Sequence, residues 1–176
     1  MKINVGFSRT NSIFSKLIMM FMSSNISHCY IRIEDSVLGV PVVIHSDFVG
    51  VVIEHADIFD KRNTAVEEYE IVDDNLDASI KSNLRFLGKG YDWMALFGWA
   101  PIIIFKRWIK RKIKNPTTDP KKLICVDFVL HVLNEANITT IPYGFLTPKD
   151  LREWMNEKYK ELDWNKVNKL EIQNVK

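Results

Sequence analysis

The side chains able to act as nucleophile or base in this chain are few: two cysteines, Cys29 and Cys125, and four histidines, His28, His45, His55 and His131. A cysteine nucleophile needs a base within hydrogen-bond reach and a third polar group to orient that base. Cys125 is the first candidate, because residues 119–137 (DPKKLICVDFVLHVLNEAN) place it in the first turn of a predicted helix. Apolar residues at Cys125, Phe128, Val129, Val132, Leu133 and Ala136 recur three and four apart and form one stripe. Pro120 favours a helix start just upstream. At that end the helix dipole, with Lys121 and Lys122 nearby, favours the thiolate over the thiol. The competing reading is a buried cysteine that only packs the core.

Of the histidines, His131 follows Cys125 by six residues and falls on another face of the same helix. His55 ends a strand and is expected at the surface. His28 and His45 lie inside apolar strands, where a polar side chain needs a reason. If those strands pair, the two imidazoles can face one another and the Cys125 helix can dock on that face. The Cys125 backbone N–H, at a helix N-terminus, is a natural oxyanion donor, and Tyr30, on the His28 face, is a candidate second donor. The same three residues, His28, His45 and Cys125, also form a conceivable zinc set, although no short-spaced ligand pair supports it. No metal is therefore assigned, and no cofactor is expected.

The elements that must position these residues read as an α+β arrangement of helix, then sheet, then helices. Residues 2–7 form a strand; Asn11 or Ser12 caps a helix over 13–22 with Phe14, Leu17, Ile18 and Phe21 on one face. Strands follow at 26–33 (ISHCYIRI), 40–46, 49–54 and 65–72, an antiparallel sheet of about five strands in all. By alternation Ile26, His28, Tyr30 and Arg32 share a face, Cys29 points the other way, and His45 shares a face with Val43. A helix capped by Asp73 or Asp74 carries Leu76, Ile80, Leu84 and Leu87 and stops at Gly88 and Gly90. Residues 91–100 read as helix and 115–120 as a polar loop. Thr147, Pro148 and Asp150 start a last helix carrying Leu151, Trp154 and Met155. The tail beyond about Lys166 reads as frayed.

With 176 residues the chain suits a single domain over 1–176, large enough to bury a core without disulfides or a structural metal. A net charge of +2 gives no reason to expect nucleic acid. Two cysteines do not make the framework of a small secreted protein, and no signal peptide is recognised in MKINVGFSRT, so a cytoplasmic protein is expected. A chain rich in Ile, Lys and Asn also fits phage or virus origin. The apolar stretch 93–105 is too short to span a bilayer. Behind it KRWIKRKIK, with Trp108, Lys110 and Arg111, suits a peripheral membrane contact or an anionic polymer, against the plainer reading of a solvated helix end.

The order of ISHCYIRI, VVIHS, LICVDFVLHVL and YGFLTPKDL resembles the circularly permuted NlpC-type papain-like thiol hydrolases, which include YiiX-like proteins and the lecithin retinol acyltransferase group. Ser27 and His28 match that family's base motif, His45 takes the place of its following polar residue, and Tyr91 with Asp92 resembles its Tyr-Asp pair. Cys125 to Val129 matches the nucleophile motif, with Val126 and Asp127 departing from its usual small polar residue and Glu. The resemblance implies a permuted papain-like fold, with the nucleophile helix C-terminal to the sheet. It implies a Cys125–His28–His45 triad, with Tyr91 near substrate, and hydrolysis or acyl transfer through a thioester on a peptide, isopeptide or acyl substrate. The main expectation is a cysteine hydrolase, an amidase or thiol protease. The alternatives are an acyltransferase or lipid-acting enzyme of the same fold, and a non-catalytic member that binds membrane or cell wall.

Overall fold

The computed structural model describes residues 2–36, 38–90, 123–144, 146–160 and 167–170. The expected helices over 91–100 and the 93–105 apolar stretch lie outside these residues, as do the basic segment and the 115–120 loop. Six strands form one antiparallel sheet: β1 (Ile3–Arg9), β2 (His28–Ile33), β3 (Val42–Asp47), β4 (Gly50–His55), β5 (Thr64–Ile71) and β6 (Val167–Leu170). Their order is β4-β3-β2-β1-β5-β6. Among the described residues the α-helices are α1 (Ile13–Met22), α2 (Ala56–Arg62), α3 (Leu76–Asn83), α4 (Cys125–Glu135) and α5 (Pro148–Lys160).

Alternation along the strands sorts side chains to two faces with different chemistry. Val5, Phe7, Cys29, Ile31, Ile33, Val42 and Ile44 build one continuous core with α3, α4 and α5. On the opposite face Tyr30, Val43, Ala56 and Phe59 form a smaller cluster under α2. Beside that cluster Arg32 bridges Asp60 at 2.6 Å and Glu68 at 2.9 Å, and the Tyr30 hydroxyl donates to Glu68 at 2.6 Å. A buried charge at the centre of a sheet is tolerable only when paired in this way.

The α4 sequence is rich in β-branched valine, which favours strand over helix locally. Tertiary burial overrides that preference. Eight of its residues, Cys125 to Leu130 with Val132 and Leu133, are buried, each large apolar one worth about 1.5–3 kcal/mol. The helix is therefore enclosed on nearly all sides rather than on one stripe. Two side-chain hydroxyls pin it. Ser46 of β3 donates to the Leu123 carbonyl at 2.6 Å, and Ser79 of α3 donates to the Val132 carbonyl at 2.7 Å.

Helix α4 begins at Cys125, with Ile124 as its N-cap residue, so the thiol stands on the first turn as expected. Three sequence expectations change. The tail pairs as β6 along β5, because β5 offers an open row of backbone groups that the short polar sequence VNKL does not advertise. Helix α2 was not expected at all; it starts where the His55 imidazole accepts the Asp57 N–H at 3.1 Å. Helix α1 occupies its expected residues and is capped by Ser12, but it turns Ser15 inward and leaves Phe14, Leu17 and Phe21 exposed. By contrast, α5 starts as expected: the Thr147 hydroxyl and N–H both donate to Asp150, at 2.8 and 2.9 Å.

Gly6 of β1 lies opposite Tyr30 of β2, and a Cβ there would stand 2.2 Å from the Tyr30 ring. Gly6→Ala is expected to push Tyr30 off Glu68 and lower stability by about 1–3 kcal/mol, the usual range for overpacking. Urea unfolding checks this, and an unchanged midpoint would show that the ring is free to move.

Candidate active site

The N-terminal end of β2 and the first residue of α4 meet at one edge of the core. Cys29 faces α4, as β2 alternation requires, and is fully buried beside Cys125. His28, one residue earlier, directs its ring to the other face, where Phe59 packs near it. Because His28 is the first residue of its strand and Cys125 the first of its helix, the imidazole reaches the thiol around the sheet end. Cys29 and His28 are the two side chains that act on the Cys125 sulfur. Helix α4 thus docks on the face opposite the two histidines, not on theirs as expected.

Those contacts set the thiol's acidity. The Cys29 hydrogen bond is the largest influence on Cys125 and lowers its pKa; burial opposes this, and the charge and hydrogen bond of His28 add to the lowering. The net effect is well below the ordinary thiol value. Cys29 moves the other way, held up first by burial and then by Cys125, so it stays a protonated donor. No side chain caps the N-terminus of α4, which leaves its first amides oriented toward the sulfur end of the helix. Asp127, in the first turn, is buried and accepts the Gly144 N–H at 3.0 Å, tying the 141–144 loop to the nucleophile helix.

Behind His28 the polar groups continue in a file. His28 Nε2 lies 3.1 Å from His45 Nδ1, and the rings stand edge to face with centroids 5.1 Å apart. His45 Nε2 lies 2.8 Å from Glu54 Oε1 on β4, and Arg62 at the end of α2 binds the other oxygen of Glu54. His45 is 3% exposed, and burial lowers its pKa to about 2, helped by the charges of His28 and Arg62. The Glu54 carboxylate, which alone would favour an imidazolium, shares its charge with Arg62. His45 is neutral.

His28, His45 and Ser46 line a cleft of about 460 Å³, together with Thr10, Ser12, Ser15, Ser27, Phe48 and Arg62. The Ser27 and Ser15 hydroxyls lie 2.6 Å apart and join α1 to the start of β2.

The structure therefore gathers Cys125, His28 and His45. Tyr30 is not with them: its hydroxyl is committed to Glu68 in the buried charge cluster on the α2 face. The alternation that put Tyr30 on the His28 face is right, but it lies deeper in the sheet, beyond the thiol. Tyr91, Asp92, Trp108, Lys110, Arg111, Lys121 and Lys122 lie outside the described residues. His131 stacks on Tyr143 with centroids 3.9 Å apart, away from the thiol, and His55 caps α2. Sequence reasoning missed Cys29 and Glu54. For Cys29 a signal existed, since its face is the one that an apolar helix must cover; for Glu54 there was none, because its role depends on cross-strand register.

No family model matches this sequence, and no curated protein matches it. Among solved structures the chain is similar to the crystal structure of metalloprotein yiiX from Escherichia coli O157:H7, with 14% identity, a TM-score of 0.54, and 98% of this chain and 97% of that one covered. At that identity the likeness is one of fold, and this α+β arrangement is YiiX-like. The site residues here do not suit a metal. Both His45 nitrogens are engaged, by His28 and by Glu54, and among the described residues no group of three or more His, Cys, Asp or Glu side chains is placed to hold one. Among the described residues His28, His45 and Cys125 do not form the three-ligand group that the zinc reading asks for.

Cys29→Ala removes the strongest support of the thiolate, so the pH profile of Cys125 alkylation by iodoacetamide is expected to move to higher pH. Measuring rates from pH 5 to 9 checks this; a superimposable profile would mean that the Cys29 thiol does not stabilise the anion.

Proposed function

We propose that the protein is a cysteine hydrolase, an amidase or peptidase, built on the permuted papain-like version of this fold. The observation that carries the reading is the convergence of Cys125, first residue of α4, on His28, itself backed by His45 at 3.1 Å, with both histidines lining a cleft. Papain-like order is reversed in this chain: the base lies on β2 and the nucleophile on a later helix, which agrees with the motif order noted in the sequence.

The chemistry follows from the groups present. The Cys125 thiolate attacks the carbonyl carbon of an amide, and the developing oxyanion is met by backbone N–H groups at the start of α4. Collapse of the tetrahedral species expels the amine, which takes its proton from the His28 imidazolium. A thioester on Cys125 remains. His28, now neutral, removes a proton from water; the hydroxide adds to the thioester carbonyl, and the acid product leaves with the thiolate restored. His45 holds the His28 ring in position for both transfers.

Cys125→Ala and His28→Ala are each expected to reduce hydrolysis of activated ester and peptide-amide substrates by roughly 10²–10⁴-fold, with the melting transition retained. The same Cys125→Ala variant should not accumulate a covalent acyl adduct by mass spectrometry. Wild-type turnover in either variant would overturn the assignment.

One observation favours a second reading, a lipid-acting enzyme of the same fold. Ile13, Phe14, Leu17, Met20 and Phe21 of α1, with Phe48 and Val49 of the β3–β4 turn, are 39–76% exposed. The Phe14 and Phe48 rings lie 5.8 Å apart, and Phe48 also lines the cleft. A helix with its apolar face outward can enter a lipid interface. On this reading the protein floats with anionic liposomes and Leu17→Glu with Phe21→Glu releases it; absence of flotation leaves the amide substrate.

A further inference from the structure

Glu54 is the acidic residue at the end of the polar file behind His28, joined to His45 and to Arg62, both of which line the cleft. Its position on β4 is set by register: Glu54 pairs with Val43, two residues from His45 and on the same face of the sheet. Arg62, arriving from α2, binds its second oxygen. A neutral imidazole has one N–H and one bare nitrogen, and which is which is decided by its partners. A carboxylate has no proton to give, so it can only accept.

We infer that Glu54 is a positioning residue that sets the tautomers of both active-site histidines and so assigns the proton-accepting atom as His28 Nδ1. The chain of constraint runs outward from the carboxylate. His45 Nε2 must carry the hydrogen that Glu54 Oε1 accepts at 2.8 Å. His45 Nδ1 is then bare and can only accept, so at 3.1 Å His28 Nε2 must donate. In neutral His28 the bare nitrogen is left as Nδ1, the atom that is free to take the proton of Cys125. When it does, the imidazolium keeps its Nε2–H bond to His45, and no proton moves along the file. Arg62 holds the carboxylate in place and balances its charge, which lets His45 remain neutral while still donating. Without an acceptor at Glu54, His45 could carry its hydrogen on Nδ1, and that hydrogen would oppose the one on His28 Nε2.

This inference rests on the cysteine hydrolase reading, but it is read by an observable that does not need turnover. Long-range ¹H–¹⁵N correlation spectra distinguish protonated from bare imidazole nitrogens. The wild-type protein is expected to show His45 protonated at Nε2 and bare at Nδ1, and His28 protonated at Nε2. In Glu54→Gln, whose amide can donate as well as accept, the His45 pattern is expected to mix or reverse. The alkylation profile of Cys125 should then move to higher pH. Hydrolysis should fall on the order of 10²-fold, below the roughly 10⁴-fold seen when a triad loses its tautomer-setting carboxylate directly. Glu54→Asp, which restores an acceptor, should recover the wild-type nitrogen pattern and part of the rate.

Wild-type spectra with His45 protonated at Nδ1 would overturn the inference, and so would a Glu54→Gln variant with unchanged nitrogens and an unchanged alkylation profile. If Glu54→Gln does not fold, the wild-type spectrum alone decides. Failure of the hydrolase reading looks different: alkylation of Cys125 would be the same in wild type and His28→Ala, whatever the tautomer of His45.

Discussion

The burial of α4 against β2 and β3 is the constraint on which the rest depends. Phe128, Val129, Val132 and Leu133 are removed from water between the sheet and helices α3 and α5, and together they contribute several kilocalories per mole. That packing holds the first residue of the helix at the end of β2. A thiol has no geometric control of its own; its meeting with His28 is a by-product of where the helix axis must lie to bury its apolar surface. The hydroxyl of Ser46 fixes the remaining freedom by holding the Leu123 carbonyl just before the turn into the helix.

The two faces of the sheet divide the work. One face is apolar and carries α3, α4 and α5; the other lies under α2 and carries a cluster of Arg32, Glu68, Asp60 and Tyr30, whose charges are mutually satisfied. The site lies where the strands end and both faces become accessible. Cys29 and Cys125 come from the apolar side, where burial would normally keep a thiol protonated. His28, His45 and Glu54 come from the polar side. The thiolate is favoured first by Cys29, from the same side, and then by His28, which acts on the sulfur from the end of β2.

Helix α1 inverts the ordinary logic of an amphipathic helix. Besides Met22 at its end, it buries a polar side chain: Ser15 accepts from the Thr10 N–H at 3.1 Å and meets Ser27 beside the cleft. Its apolar face is left at the surface next to the same cleft. This joins the cleft wall to an exposed hydrophobic surface through one short helix, so any partner that covers α1 also borders the site.

Much of this protein was already determined by its sequence. Strand alternation located five of the six strands and sorted His28, Tyr30 and Arg32 from Cys29; three-and-four spacing located α1, α3, α4 and α5, and the start of α4 put Cys125 on its first turn. These are local signals, because burial repeats with the period of the element that carries it. Four things were decided only by the tertiary structure: the face on which α4 docks, the pairing of Cys29 with Cys125, the diversion of Tyr30 to Glu68, and the reach of Glu54 to His45. Each joins residues from different elements, and their meeting depends on register and on how helices cross the sheet, which no local period encodes.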